Sequence, residues 1–353
     1  MKSPPLVSII INNYNYEQFL AEAIDSALNQ TYKNLEIIVV DDASDDNSRE
    51  IIDSYQERIT KIFRQQNGKQ AAALNDGFAV SKGEIVIFLD ADDYLFPQAV
   101  TRIVDAWQPG IAKVHYRLEV VDGNRKPLGY SYPQGSEPLA TGDVWRKLLE
   151  FGGYVGTSMS GNAISRQALE RVFPIPDEYK LTADDYLSTL IPFYGEVVAI
   201  EEPLAAYRIH NNNQWALTTI TGDRFRRFIK HALVTRNLVI NKAKELGYEL
   251  PRDFELRSPN LFWVRLISLR MEPHKHPIDS DRKFFLIYSG IYSLWKYSNL
   301  NWIKRTVFSS WLILIGLSPL ALAKTTIVWF YVPQLRPKWI FYTFSRKHLS
   351  TNK

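Results

Sequence analysis

The chain has 353 residues, 46% hydrophobic and 23% charged, a globular composition long enough for one α/β domain with material left over. Its formal net charge is +4 and it has no cysteine, which excludes disulfides, thiolate chemistry and cysteine-based zinc sites. The charge is uneven: residues 1–210 carry 19 Lys and Arg against 30 Asp and Glu, and residues 211–353 carry 23 against 8. An acidic front half suits a metal site, and a basic, tryptophan-rich rear half suits anionic lipid headgroups. No nucleic-acid module accompanies the basic half, so nucleic acid is not an expected partner. The first apolar run is short and breaks at Asn12 and Asn13 without a small-residue cleavage site. No signal peptide is expected, which would keep the catalytic part on the cytoplasmic side.

The first hundred residues alternate strand and helix. LVSIII (6–11) is a short β-branched run that predicts a buried strand, and Phe19, Leu20, Ala23, Ile24, Ala27 and Leu28 recur at helical spacing over 17–30. LEIIVV (35–40) predicts a second strand, Asp45 or Asp46 caps a helix running to about Arg58, and a short strand follows near 61–64. AAALNDGFAVS predicts a helix ending near Gly83, EIVIFL (84–89) another buried strand, and Pro97 the first turn of a helix. Beyond these, a hairpin turning at Asp122-Gly123 and ending near Tyr132 is expected, then a helix at 143–151 and a Gly-rich stretch at 152–162. A helix at 184–194, strands EVVAIE and PLAAYRIH, and long helices at 223–246, 259–271 and 281–297 complete the reading.

Repeated β-α-β units imply an α/β fold with a mixed, mostly parallel sheet flanked by helices, over about 1–215, and a helical region over 216–353. Such sheets bind ligands beyond the carboxyl ends of their strands. Two strands end there in acid: Asp41-Asp42, and Asp90-Ala91-Asp92-Asp93. Spaced carboxylates are hard oxygen ligands for Mg²⁺ or Mn²⁺ bridged to phosphate; the plainer alternative is a solvated loop capping the next helix. NGKQAAALNDG (67–77) adds a Gly-bearing loop before a helix whose N-terminus, with Lys69, suits a diphosphate, unless Lys69 is an ordinary surface lysine. Asp184 and Asp185 open the 184–194 helix, where they act either as simple capping acids or as a general base. His210 is read as a metal or diphosphate ligand or as a satisfied structural histidine.

VSIIINNYNY (7–16), LEIIVVDDASDDNS (35–48), NGKQAAALNDG (67–77), GEIVIFLDADD (83–93), DDYL (184–187) and EPLAAYRIH (202–210) together resemble the family-two inverting glycosyltransferases of the GT-A, Rossmann-like fold, over about residues 5–212. The resemblance implies transfer of a sugar from a nucleotide-diphosphate donor, a UDP-sugar favoured, to a hydroxyl, with a Mn or Mg cation. It places Asn12 and Tyr14 in the nucleotide pocket, Asp42 on the base with Asp41 beside it, Asp90 near the ribose or metal, Asp92 as principal metal ligand and Asp184 as catalytic base. The family's Glu-Asp pair at the base is Ala183-Asp184 here, which leaves Asp185 as a rival. The Arg-Asn pair common in the helix after Gly68 is Leu74-Asn75, so Lys69 is the candidate to replace the missing cation.

Thr306–Ala323 is uncharged and apolar, near the roughly 20 residues a bilayer crossing needs. Lys304 and Arg305 on one side and Arg336 and Lys338 on the other favour a re-entrant or interfacial element over a single span. Trp295, Trp302, Trp311, Trp329 and Trp339 are candidate headgroup anchors. The expected protein is thus a transferase at the cytoplasmic face of the inner membrane, acting on a glycan or lipid-linked saccharide. The rival readings are a nucleotidyltransferase, which lacks its basic loop after the first strand, a glycoside hydrolase, for which a nucleotide site is surplus, and a non-catalytic saccharide-binding scaffold.

Overall fold

A computed structural model describes residues 4–135, 137–210, 213 and 220–331. The chain divides into two compact units, one formed by the described residues of Met1–Asn213 and Thr235–Leu250, the other by those of Gln214–Val234 and Pro251–Lys353. The chain thus passes between the units three times: after Asn213, within one long helix that returns to the first unit at Thr235, and after Leu250.

The first unit opens as the hydrophobic pattern dictates. β1 (Val7–Asn13), α1 (Glu17–Leu28), β2 (Leu35–Asp41), α2 (Ser48–Ser54), β3 (Thr60–Phe63), α3 (Lys69–Val80) and β4 (Ile85–Asp90) follow in order. Val7, Ile9, Ile10 and Ile11 are wholly buried, as are Ile85 to Leu89, because helices cover both faces of the sheet. α1 turns Leu20, Ala23, Ile24 and Ala27 into the core, the stripe its spacing predicts. α3 lies so close that a Cβ on Gly77 would come within 2.4 Å of Ile10 Cγ2, which is why glycine sits there.

Strands β3, β2, β1 and β4 are parallel neighbours, with Asn13 level with Asp41 and Asn12 level with Asp90. The acidic and amide side chains that end these strands therefore stand on one edge. The rest of the sheet comes from β5 (Tyr94–Leu95), β6 (Ile111–Asp122), β7 (Pro127–Tyr132), β8 (Asn162–Ser165) and β9 (Glu196–Ile209), in the order β3-β2-β1-β4-β8-β6-β9-β5 with β7 beside β6. Pairs β4–β8, β6–β8, β5–β9 and β6–β7 are antiparallel and β6–β9 is parallel. The mostly parallel sheet expected from sequence thus holds for its first half only, and the whole is mixed.

Other differences are local. The two strands expected at 196–210 are one, with the register slipping where Arg117 meets Pro203, a residue without a backbone donor. Pro97 lies outside its helix; α4 (Ala99–Asp105) begins two residues later, and the Pro97 carbonyl accepts from Thr31 N–H instead. α5 (Val144–Phe151), α6 (Arg166–Leu169) and α7 (Ala183–Leu190) complete the helices of this unit ahead of residue 213.

The second unit is helical. α8 (Gly222–Glu245) enters it first, followed by α9 (Pro259–Met271), α10 (Lys283–Tyr297), α11 (Trp302–Leu317) and α12 (Leu320–Tyr331). Phe225, Phe262, Leu266, Leu286, Leu312 and Ile315 form its core. The apolar run at 306–323 is split between α11 and α12 at Ser318-Pro319, where Arg270 holds the carbonyls of Ile315 and Ser318 and closes the end of α11. Among the described residues no helix is long and apolar enough to cross a membrane, so a single-span reading finds no helix here. Residues 332–335 of the segment, with Arg336, Lys338 and Trp339, lie outside the described residues.

Candidate active site

The edge where β1, β2 and β4 end carries a connected set of polar side chains. Asn12 donates from Nδ2 to Asp90 Oδ1 at 3.0 Å, and Gln70 in the first turn of α3 donates to the same oxygen at 3.2 Å. Asn12 Oδ1 is buried and accepts no hydrogen bond. Burial, then the neighbouring Asp92 charge, pushes the Asp90 carboxyl up to about 6. Asp93 is also raised well above the usual carboxylate range, by burial and then by the Asp92 and Asp90 charges, with its carboxylate accepting the Arg208 N–H at 2.9 Å.

Asp41 and Asp42 are adjacent but differently placed. Asp41 is wholly buried and fully engaged: Asn13 and the Arg49 guanidinium donate to it at 2.9 and 3.1 Å, and Ser44 donates from both N–H and hydroxyl. It braces the turn after β2, with no oxygen left facing outward. Asp42 turns toward the start of α3. Gly68 N–H donates to it at 2.8 Å and the Arg64 guanidinium pairs with it at 2.9 Å. A Cβ on Gly68 would fall 2.5 Å from Ala72 Cβ and 2.8 Å from Arg64 Nη2, so that close approach requires glycine.

Arg64, from the end of β3, also pairs with Asp76, so a cation stands beside Asp42 although the helix lacks the expected arginine. Asn75 is spent on the backbone of Ile175, at 3.0 and 2.8 Å. Lys69 is exposed, with its ammonium 5.7 Å from the centroid of the Tyr14 ring, itself 42% exposed. Asn15, Ala43 and Lys69, each in a turn at this edge, have φ of 57°, 63° and 67°. Left-handed backbone at non-glycine residues is held against strain and gathers at functional sites.

Asp92 lies past the end of β4, 8% exposed. Its Oδ2 meets His210 Nε2 at 3.0 Å and accepts from Asn213 Nδ2 at 3.1 Å. The imidazole is seated between Tyr16, edge-on at 5.7 Å, and Phe19 at 4.8 Å. Arg208 underpins this corner. It is 1% exposed and donates to the carbonyls of Asp92 and Gly123 at 2.8 and 3.1 Å and to the Glu22 carboxylate. Its guanidinium lies 4.7 Å from the Phe19 ring centroid. A carboxylate and an imidazole converging on one point are hard and borderline donors that fit a Mn²⁺ or Mg²⁺ ion taking its other ligands from phosphate. Among the described residues no three His, Cys, Asp or Glu side chains gather to hold an ion alone.

Asp184 reaches the same edge from α7. Its carboxylate accepts the Met159 N–H; the next residue, Ser160, accepts the Asp90 N–H on its hydroxyl at 3.2 Å and the Tyr116 hydroxyl on its carbonyl at 2.8 Å. The turn Ser158–Gly161 therefore links Asp184 to the end of β4. Burial first, then the charges of Asp185 and Asp90, push Asp184 up to about 8, opposed by Lys113 and the Met159 N–H. Ala183, where the family places glutamate, is wholly buried.

The structure thus joins Asp42, Gln70, Asp90, Ser160 and Asp184 in one run of contacts, with Asp92 and His210 beside it. Sequence reasoning did not single out Arg64, Gln70, Ser160, Arg208 or Lys113, although Gln70 stands in NGKQAAALNDG, Ser160 in the Gly-rich stretch at 152–162 and Arg208 in the YRIH stretch beside His210. A parallel half sheet with acidic strand ends, continued by a half of mixed strand direction with the Asp92–His210 corner beside it, defines a GT-A-like fold.

The comparisons agree. The profile of glycosyl transferase family 2 matches residues 8–173. An uncharacterized glycosyltransferase of Nostoc sp. is 36% identical over 71% of this chain and 81% of its own, and one from Haemophilus influenzae is 30% identical over 67% and 75%. The chain belongs to glycosyltransferase family 2. Among solved structures, Staphylococcus aureus TarS with UDP-GlcNAc superposes with a TM-score of 0.52 at 13% identity, over 92% of this chain and 91% of TarS. The mannosyltransferase PcManGT of Pyrobaculum calidifontis, in complex with GDP-Man and Mn²⁺, superposes at 0.51 and 15% identity, over 97% and 84%. At such identities the likeness is one of fold.

Proposed function

We propose that this chain is an inverting, metal-dependent glycosyltransferase that moves a sugar from a nucleotide-diphosphate donor to a hydroxyl of a glycan or lipid-linked saccharide. The observation that carries the reading is the contact run from Asp42 to Asp184 along one edge of the sheet. In it, Asn12, Tyr14 and Asp42 receive the nucleoside, with Asn12 Oδ1 open to a donor group; Asp90 faces the ribose; and Lys69 and the start of α3 face the diphosphate. Asp41 keeps the turn in place and makes no ligand contact. Asp92 and His210 would hold the divalent cation, which when bound neutralises charge growing on the departing diphosphate. Asp184 takes the proton of the attacking hydroxyl. Neighbours of the same fold bind UDP-GlcNAc and GDP-Man, the latter with Mn²⁺, which supports a nucleotide sugar and a cation; a uridine donor is the favoured form.

Release of sugar from a panel of radiolabelled UDP-, GDP- and dTDP-sugars tests the reading without knowledge of the acceptor. One donor is turned over and chelator stops it. Turnover of none, or turnover indifferent to chelator, contradicts it.

A membrane surface, at the cytoplasmic face of the inner membrane, is the proposed place of action. Phe284, Tyr288 and Trp302 are 70%, 71% and 69% exposed, a concentration of aromatics on the second unit that suits lipid headgroups. Trp295 joins them at 44%, whereas Trp311 packs on Phe330 at 4.2 Å inside the helices and Trp329 is half-buried. The protein is expected to co-sediment with phosphatidylglycerol vesicles, less so at high salt and less again after Phe284→Ser. An unbound protein at low salt would exclude this placement.

A further inference from the structure

β6 carries two buried titratable side chains that the steps above leave unused. Lys113 is 1% exposed and His115 is wholly buried, and being two apart on a strand they share a face. A lysine in such a place is rare and needs a partner. Its ammonium donates to the Tyr154 hydroxyl at 2.6 Å and lies 5.0 Å from that ring's centroid. The Tyr154 hydroxyl in turn donates to the Ser188 carbonyl at 2.8 Å. Ser188 is four residues past Asp184, one turn along α7. Among the described residues no carboxylate is in ion-pair contact with Lys113; the carboxylate that feels its charge is Asp184. His115 gives no competing charge. Burial and the Lys113 charge push it down to about 3, and its Nε2 is bonded to the Ala140 carbonyl at 2.7 Å.

The groups facing Asp184 are few. Asp185 stands beside it on α7, Asp90 faces it from β4, Lys113 from β6, Tyr154 from the loop after α5, and Tyr132 from β7. Two are anionic and two are phenols that burial keeps protonated. Among the described residues, Lys113 is the cation that acts on Asp184.

We propose that Lys113 is a positioning residue for the transfer step: held by Tyr154 against α7, its ammonium supplies the positive charge that lets Asp184 ionise among carboxylates. The proposal rests on the reading of Asp184 as base. Burial lowers Lys113 itself to about 8, with Asp184 acting against that fall, so the ammonium is present at neutral pH and into the range where Asp184, raised to about 8, begins to ionise.

The experiment is a ¹³C NMR titration of the aspartate carboxyl carbons of the full chain, with the Asp184 signal assigned by its loss in Asp184→Asn. In Lys113→Met its midpoint moves up by about one pH unit or more, while Lys113→Arg stays near wild type. The pH at which donor hydrolysis reaches half its plateau moves with it, and kcat at pH 7 falls while KM for the donor holds. Thermal stability of Lys113→Met is not reduced, since a buried ammonium is removed, so a purely structural role predicts none of these shifts. An Asp184 titration unmoved in folded Lys113→Met overturns the proposal. Should that variant fail to fold, Tyr154→Phe, which frees the ammonium from α7, carries the test: an upward shift of Asp184 supports the proposal and no shift overturns it. If Asp184→Asn keeps full turnover while Lys113→Met still moves the Asp184 signal, the base reading fails and the electrostatic link stands.

Discussion

Asp184→Asn is expected to lower the rate of sugar transfer by about 10²–10⁴-fold with donor affinity nearly kept. The amide preserves the shape of the side chain but cannot take a proton. The wild-type rate should rise with pH through about 8, because the base works only as a carboxylate and burial, with Asp185 and Asp90, has raised it to about that value. The variant loses that limb. Stability runs the other way. A carboxyl whose folded value lies above its ordinary value of 3.8 destabilises the fold progressively as pH rises from the unfolded value toward the folded one. The asparagine variant should therefore melt higher than wild type at pH 8 and not at pH 3. Wild-type rates in the variant, or a rate that falls as pH rises toward 8, would remove Asp184 from its role. Asp185→Asn is the comparison, because Asp185 is the rival carboxylate beside Asp184 on α7.

Arg208→Met is expected to lower folding stability by about 3–5 kcal/mol. The guanidinium is 1% exposed and serves the carbonyls of Asp92 and Gly123 together with Glu22. Methionine fills most of the space and leaves those acceptors without their donor. Glu22 keeps Arg125, which draws the loss toward the lower end of the range. Donor affinity should fall as well, because the backbone of Asp92 is no longer held. Urea unfolding measures the first effect; a loss under about 1 kcal/mol would contradict this role for Arg208.

The half of the site that lies on parallel strands was legible in the sequence. Uninterrupted β-branched runs mark β1, β2 and β4, and the acids that terminate two of them lie at the carboxyl edge, so Asp42, Asp90 and Asp92 fall together from the pattern alone, while Asn12 enters through the family resemblance. The half of mixed strand direction was harder. β8 is four residues long with one large apolar side chain, Ile164, too brief to show a period. β9 carries Glu201, Glu202 and Pro203 in mid-strand, which reads as a break, yet the sheet absorbs it by slipping register. Lys113 and Arg208 look like the outward positions of alternating strands, and both are buried. Alternation reports two faces but not which of them a second layer will cover. Arg64 stands in a loop where its pairing with Asp42 depends on the turn at Gly68, a contact no local pattern encodes. In the tail, hydropathy marks the apolar run, and Pro319, which has no backbone donor, marks the bend within it, where α11 ends and α12 follows.

The configuration of the sugar freed from the hydrolysed donor tests the central claim most directly. With Asp184 activating the attacking oxygen on the face opposite the departing diphosphate, an α-linked nucleotide sugar releases its β-anomer first, seen by proton NMR before mutarotation. First release of the α-anomer would require a covalent or front-face route in which Asp184 has no place as base.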